Sequence, residues 1–213
     1  MVDRDTVFVV GGGPSLSSFN LSKLSNYHTI CINQSVFDIP NPDYLITCDY
    51  TFLIKLGKER LSTLSCTRVF VANFIGEALK ETGGKIIDPH CNLFYDLSSF
   101  DTIIKARNRS GIGGTFRDFR SGGNSGYCGF QLAVLLGYKK IVFVGIDLTI
   151  VGRKTHYHSV YTTELTLFKR RLDTYYAEFK HGIDQVKRDF PNIKMSTGTP
   201  GRLQELLPLE SPI

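Results

Sequence analysis

Residues 121–158 constrain the fold more than any other part of the chain. The segment opens with a glycine-rich polar turn, continues as a helical pattern, and leads into the apolar run of residues 141–144. A short strand that is apolar throughout is typical of a parallel sheet that is buried on both faces. Ligands of open α/β sheets bind beyond the carboxyl ends of the strands. Asp147 and the loop to His158 therefore mark the expected active-site edge.

The hydrophobic pattern predicts one Rossmann-like α/β domain over residues 1–213, with a mostly parallel sheet flanked by helices. A chain of 213 residues is long enough for one such core and short for two. Residues 88–120 show no clear periodicity, which predicts an irregular, lid-like loop. Strands are predicted at residues 7–10, 29–32, 43–48, 68–72, 85–87, 141–144 and 193–195, with helices at 51–64 and 162–189.

Polar residues recur just after the predicted strands. The positions are Gly11, Gly12, Gly13 and Ser15 after the first strand, Asn33 and Gln34 after the second, and Asp49 after the third. Glycines allow a ligand to approach the backbone closely, and the N–H groups of a helix start face an anion. The turn lacks G-K-[ST] and the third glycine of G-x-G-x-x-G, so a phosphate contact and a plain tight turn both stay open. The recurrence predicts a shared polar pocket at one sheet edge.

Two further groups of residues suit chemistry at that edge. His156 and His158 follow Asp147, and an imidazole that titrates near neutral pH suits a general base. A zinc site needs three or four ligands, so we predict no metal site there. Asn124, Ser125 and Gly126 begin the helix of the central segment and suit a phosphate or sugar. Ser125 lacks the G-x-S-x-G nucleophile elbow of a hydrolase.

Charge and cysteine content limit the partners and the compartment. The net charge of +5 favours anionic partners such as nucleotides and acidic glycans, and we expect no stable nucleic-acid binding. Five cysteines without a C-x-x-C pair predict buried reduced thiols. With no leader pattern and no apolar run of about 20 residues, we expect a cytoplasmic protein. Peripheral attachment at the inner face of the membrane stays open, as does a homo-oligomer formed through aromatics of the long helix.

The motifs together resemble two related families. One comprises the bacterial CMP-sialic-acid-dependent sialyltransferases, and the other is the motility-accessory-factor and 6-hydroxymethylpterin diphosphokinase-like family. The resemblance extends from Val7 to about Leu207. It rests on V-V-G-G-G-P-S-L, C-I-N-Q, the block from S-G-Y-C to L-G-Y-K-K-I, G-I-D, and the T-H of G-R-K-T-H.

The sialyltransferase resemblance implies a glycosyltransferase that moves sialic or a related nonulosonic acid from a CMP-sugar to a hydroxyl of a glycan or other acceptor. It implies that a cytidine nucleotide is held by the glycine turn, Asn33 and the pair Ser125-Gly126. It further implies that Gly145, Ile146 and Asp147 contact the ribose and base, and that His156, or else His158, is the general base. No cofactor is expected beyond the donor itself.

Asp49 departs from the sialyltransferase pattern, which has a second asparagine at this position. A carboxylate suits a metal ion or a sugar hydroxyl better than a phosphate. The first alternative is therefore a diphosphokinase that uses ATP and Mg²⁺ on a small hydroxymethyl compound, with Asp49 and Asp147 as candidate ligands. The second is a non-catalytic nucleotide-binding protein, whose binding would be insensitive to mutation of His156 and His158.

Overall fold

The computed structural model describes residues 3–74, 85–88, 93–96, 99–107, 110–150, 154, 156–157 and 165–210. The strands are β1 (Asp3–Val10), β2 (Tyr27–Ile32), β3 (Tyr44–Thr47), β4 (Thr67–Phe74), β5 (Lys85–Asp88), β6 (Leu93–Asp96), β7 (Thr102–Arg107), β8 (Lys140–Val144) and β9 (Lys194–Thr197). Seven strands form one parallel sheet in the order β7-β4-β3-β2-β1-β8-β9. The strands β5 and β6 form a separate antiparallel pair.

The α-helices are α1 (Tyr50–Leu56), α2 (Lys58–Ser62), α3 (Ser125–Leu135) and α4 (Leu165–Asp189). Gly57 lies between α1 and α2 with a φ of 75°, a conformation that favours glycine and that ends α1. Short 3₁₀ turns cover Pro14–Ser18, Leu21–Asn26, Asn33–Phe37, Phe116–Asp118 and Arg202–Glu205.

Alternating residues of β1 face two different cores. Val7 and Val9 belong to the core that contains α3 and α4, whereas Phe8 and Val10 belong to the core that contains α1 and α2. This follows from the two-residue side-chain period of a strand. Because both faces of the central strands are covered, the buried residues 7–10 of β1 and 141–144 of β8 are apolar throughout.

An aromatic cluster joins α3, β8 and α4. Tyr127, Phe130, Phe143 and Phe179 are fully buried. Phe179 meets Tyr127 and Phe143 edge to face, with ring centroids 5.4 and 5.9 Å apart. Edge-to-face pairs at such distances stabilise beyond the burial of their area. The cluster fixes α4 above the first turns of α3.

The order of the strands locates a crevice beside β1. From β1 the chain builds outward through β2, β3, β4 and β7 on one side, and then returns to add β8 and β9 on the other. The connections of β1 and β8 therefore leave in opposite directions. Such a topological switch point opens a binding crevice at the carboxyl ends of the two strands.

The predicted α/β class with its parallel sheet is confirmed, and each predicted strand is present with shifted ends. The predicted helix at 51–64 is divided at Gly57 into α1 and α2. Residues 88–120 are less irregular than predicted, because they contain β6 and β7. The strand β7 is short, and only Ile104 and Ala106 of its six residues are buried. An edge strand with so few buried positions carries little hydrophobic pattern.

We predict that Phe179→Ala lowers the free energy of unfolding by about 3–5 kcal/mol, because it opens a cavity among three other buried rings. The matched control is Phe116→Ala, since Phe116 is 46% exposed. That control should change stability by about 0.5 kcal/mol or less. Urea unfolding of both variants measures the two values. Equal losses would contradict the role given to the aromatic cluster.

Candidate active site

The glycine turn after β1 is fastened to the segment after β8. The N–H of Gly13 donates to the carbonyl of Gly145 at 2.7 Å. The Ser15 N–H donates to Asp147 Oδ2 at 2.8 Å, and the Ser15 hydroxyl donates to the other carboxylate oxygen. Asp147 is only 3% exposed. The Asp147 carboxylate therefore joins the two segments that border the crevice.

Burial raises the pKa of Asp147 above its ordinary value, and the two hydrogen bonds from Ser15 oppose this rise. The backbone around Asp147 is held as well, because its carbonyl accepts from the N–H of Arg202 at 2.7 Å. Thr199 Oγ1 accepts from the Gly145 N–H at 2.9 Å. In this geometry Asp147 joins two loops, and its predicted contact with a ribose stays a prediction.

Two glycines of the turn are required by close approach. A Cβ on Gly13 would lie 2.6 Å from the carboxyl carbon of Asp147. A Cβ on Gly11 would lie 2.4 Å from the carbonyl oxygen of Gly145. Gly12 differs, since a Cβ there meets nothing within 4 Å. Its carbonyl instead accepts from the N–H of Tyr157 at 2.7 Å.

Asn33 occupies the carboxyl end of β2 in a left-handed conformation, with a φ of 54°. Its side-chain Oδ1 is buried and has no hydrogen-bond partner among the described residues. A buried acceptor without a partner costs about 1–3 kcal/mol. Strained backbone and unmet polar groups are typical of functional sites. Asn33 is thus the strongest ligand-binding candidate of the pocket.

The turn that carries Asn33 is tied to β1 by Ser35, which was not among the predicted site residues. The Ser35 hydroxyl donates to the Val10 carbonyl at 2.7 Å and accepts from the Ile32 N–H at 3.0 Å. Gln34 lies next to Asn33 and is partly exposed. Because β1 and β2 are adjacent and parallel, Asn33 lies at the same edge as the glycine turn.

The start of α3 is attached to the end of β3. Ser125 Oγ accepts from the Cys48 N–H at 3.0 Å and lies 3.3 Å from Cys48 Sγ. Asn124 caps the helix, because its Oδ1 accepts from the Tyr127 N–H at 2.8 Å. Gly126 is partly exposed beside them. Ser125 is thus a link between two elements, and Asn124 is a helix cap.

His156 and Asp49 are two titratable residues of the site. Burial lowers the pKa of His156 below its ordinary value, and the nearby Asp49 carboxylate opposes this fall. Asp49 Oδ1 also accepts from the Phe52 N–H at 3.3 Å at the start of α1. The adjacent Tyr157 N–H joins this loop to the glycine turn. His158 lies outside the described residues.

Most of the predicted site residues thus converge on one edge of the sheet, at the ends of β1, β2, β3 and β8. Ile146 is the residue with the least polar surroundings, since it is buried in the core shared with α3 and α4. The predicted site residues did not include Ser35, Thr199 and Cys48. The side chains of Ser35 and Thr199 bond to backbone groups far away in the sequence, and Cys48 Sγ contacts the Ser125 hydroxyl. A polar residue just after a strand was the only available signal.

Among the described residues, no group of three or more His, Cys, Asp or Glu side chains is arranged to hold a metal ion. Within the same residues, no helix is long and apolar enough to cross a membrane.

The fold is that of solved glycosyltransferases, although no family model and no curated protein matches the sequence. A sialyltransferase CST-II in complex with a trisaccharide acceptor and CMP matches 96% of this chain and 85% of its own at a TM-score of 0.53 and 15% identity. The match to the monofunctional alpha-2,3-sialyltransferase Cst-I from Campylobacter jejuni covers 98% of this chain and 82% of Cst-I. Its TM-score is 0.52 and the sequence identity is 15%. The match to MAf glycosyltransferase from Magnetospirillum magneticum AMB-1 covers 99% of this chain and 33% of that protein. Its TM-score is 0.56 and the sequence identity is 14%.

These likenesses confirm, at the level of the fold, the resemblance to the sialyltransferase and motility-accessory-factor families. They extend over almost the whole chain, so the sheet, the switch point and the flanking helices share one topology with those enzymes.

We predict that Gly13→Ala destabilises the protein by about 1–3 kcal/mol, because the new methyl group overlaps the buried Asp147 carboxylate. The φ of Gly13 is −71°, so the backbone itself accepts alanine and only the overlap is tested. Gly12→Ala is the matched control and should stay within about 0.5 kcal/mol. Thermal and urea unfolding check both values. A tolerated Gly13→Ala would mean that the contact between turn and carboxylate is looser than described.

Proposed function

We propose that this protein is a glycosyltransferase that transfers sialic or a related nonulosonic acid from a CMP-sugar to an acceptor hydroxyl. The observation that carries the proposal is the buried, unpartnered Oδ1 of Asn33 at the crevice edge. The fold supports the choice of donor, since a CST-II structure with this fold holds CMP and a trisaccharide acceptor.

In this proposal Asn33 recognises the nucleotide. An amide oxygen accepts hydrogen bonds and cannot donate them, so it requires an N–H or O–H group on the ligand. The amino group of cytosine and the hydroxyls of ribose are such donors. A bound nucleotide would therefore relieve the cost of the unpaired Asn33 oxygen, and that relief would add to the affinity.

The phosphate of the donor then lies over the glycine turn. The backbone at Gly12 is open to close approach, since a Cβ there meets nothing within 4 Å, and Ser125 marks the start of α3. The start of α3 favours a negative charge, and fixed dipoles stabilise the charge of a leaving phosphate. The Ser15–Asp147 tie keeps the turn in position during the reaction.

The chemical step needs a base for the acceptor hydroxyl. The acceptor oxygen forms a bond to the anomeric carbon of the sugar while the bond from that carbon to the phosphate oxygen breaks. The hydroxyl proton passes to the imidazole of His156, and CMP leaves with the bonding electron pair. A lowered pKa keeps His156 neutral near pH 7, which is the form that accepts a proton.

The first test is nucleotide binding measured by thermal shift with CMP, CDP, UDP, GDP, ADP, ATP and CMP-sialic acid, each with and without Mg²⁺. A ligand that binds only the folded state raises the Tm. We expect CMP and CMP-sialic acid to raise it without metal. A rise in Tm only with ATP and Mg²⁺ would instead support the diphosphokinase. No change in Tm with any nucleotide would contradict the proposed nucleotide-binding pocket.

We predict that Asn33→Gly weakens CMP binding about tenfold, the equivalent of one lost hydrogen bond. Glycine accepts the left-handed backbone, so the variant removes the side chain without straining the turn. Asn41→Gly is the matched control, because Asn41 also has a positive φ of 50° and is exposed. Calorimetric titration with CMP should leave the control unchanged. Equal affinities in both variants would remove Asn33 from the site.

The pH profile of transfer tests the base. Because the pKa of His156 is lowered, activity should persist below pH 6.5 and fall only as His156 becomes protonated. Asp49→Asn removes the carboxylate that raises this pKa, so the acid limb should move to still lower pH. His156→Asn should cost about 10²–10⁴-fold in rate at pH 7. An acid limb that stays in place in Asp49→Asn would contradict the pairing. Nucleotide binding with full activity in His156→Asn would leave the histidine without a catalytic role.

A further inference from the structure

One face of α4 extends from the aromatic cluster to the site. Phe179 lies over the first turn of α3, where a Cβ on Gly126 would be 3.7 Å from the end of its ring. Tyr175 is four residues earlier, so it lies on the same face one turn along the helix. It is half-buried and packs against the same core as Cys48, the residue that accompanies Ser125 at the end of β3.

The charges around Tyr175 agree with this position. Burial raises the pKa of its phenol, Arg171 opposes the rise, and Cys48 and Asp49 add to it. The phenol therefore stays protonated at neutral pH and is able to donate a hydrogen bond. Asp49 also acts on His156, so Tyr175 and His156 have the same carboxylate as a neighbour.

The next residue shows what a structural tyrosine of this helix looks like. The Tyr176 hydroxyl donates to Glu205 Oε2 at 2.8 Å, and the Arg202 guanidinium lies 4.0 Å from its ring centroid. Tyr175 is different, because its hydroxyl has no hydrogen-bond partner among residues of the described ranges. A half-buried phenol near the start of α3, with a hydroxyl that the protein does not use, suits a ligand.

The position also decides which substrate Tyr175 faces. The nucleotide is assigned to the crevice at the ends of β1, β2 and β8, through Asn33 and the glycine turn. Tyr175 lies on the face of α4 that passes the start of α3, and Ser125 attaches that start to the end of β3, which Asp49 follows. A general base must contact the hydroxyl whose proton it accepts, so the surroundings of His156 and Asp49 belong to the acceptor.

We propose that Tyr175 binds the acceptor sugar, with its hydroxyl donating a hydrogen bond to an acceptor oxygen close to the reacting hydroxyl. Tyr175 is thereby a specificity-determining residue for acceptors rich in hydroxyl groups. This inference rests on the proposed transferase function. It adds α4 to the site, whereas the nucleotide contacts come from the strand ends and α3.

The test compares Tyr175→Phe with Tyr176→Phe in the full chain. CMP-sialic acid is the donor, and the acceptor is the oligosaccharide that receives most sugar on an array of glycans. For Tyr175→Phe we expect the acceptor KM to rise about tenfold, as for one lost hydrogen bond. The donor KM and the hydrolysis of CMP-sialic acid by water should stay within about twofold. Tyr176→Phe should leave both KM values unchanged.

Two outcomes would overturn the inference while leaving the proposed function intact. One is an equal acceptor KM in both variants. Another is an equal loss of donor hydrolysis and transfer in Tyr175→Phe, which would indicate a structural role. Hydrolysis of CMP-sialic acid without transfer to any glycan of the array would instead contradict both the inference and the transfer step of the proposed function. If CMP and its sugar neither bind nor react, the proposed function fails first, and the CMP thermal shift reveals this separately.

Discussion

The hydrogen bonds between Ser15 and Asp147 are the constraint on which the site depends. They join the segments that follow β1 and β8, the two strands where the connections diverge and the crevice opens. A buried carboxylate is costly unless its oxygens are satisfied, and Ser15 supplies both an N–H and an O–H. The close approach is possible only because Gly13 has no side chain. The arrangement of the two segments thus follows from one buried carboxylate that needs hydrogen-bond donors.

The polar residues of the edge divide into two kinds. Asp147, Ser35, Ser125 and Asn124 use their polar atoms on neighbouring backbone or side-chain groups, and so hold the strand ends and α3 in place. Asn33 and Tyr175 have polar atoms with no such partner in the described part of the chain. This division separates the framework from the proposed binding residues, because a ligand bonds best to groups that the protein leaves without a partner.

Much of this organisation was predictable from the sequence, because apolar runs and the polar residues after them have a direct physical cause. The edge position of Asn33, Asp49 and Asp147 follows from parallel strands that end together. The internal use of Asp147 was not predictable, since a carboxylate after a strand looks the same whether it faces a ligand or Ser15. Tyr175 was hidden for a similar reason: on a helix of strong 3.6-residue period it matches a core position. Only the packing of Phe179 over Gly126 reveals where that face leads.

The bond between the Tyr157 N–H and the Gly12 carbonyl makes the glycine turn a two-sided element. One side of the turn faces the crevice, and its carbonyl holds the loop that carries His156. In the proposed function, donor recognition and proton acceptance therefore share a single piece of backbone. If the turn holds the nucleotide as proposed, its redesign for a bulkier nucleotide would also displace His156, the proposed base. Changes in donor range would then require compensating changes in the histidine loop. The two functions of the site are expected to evolve together.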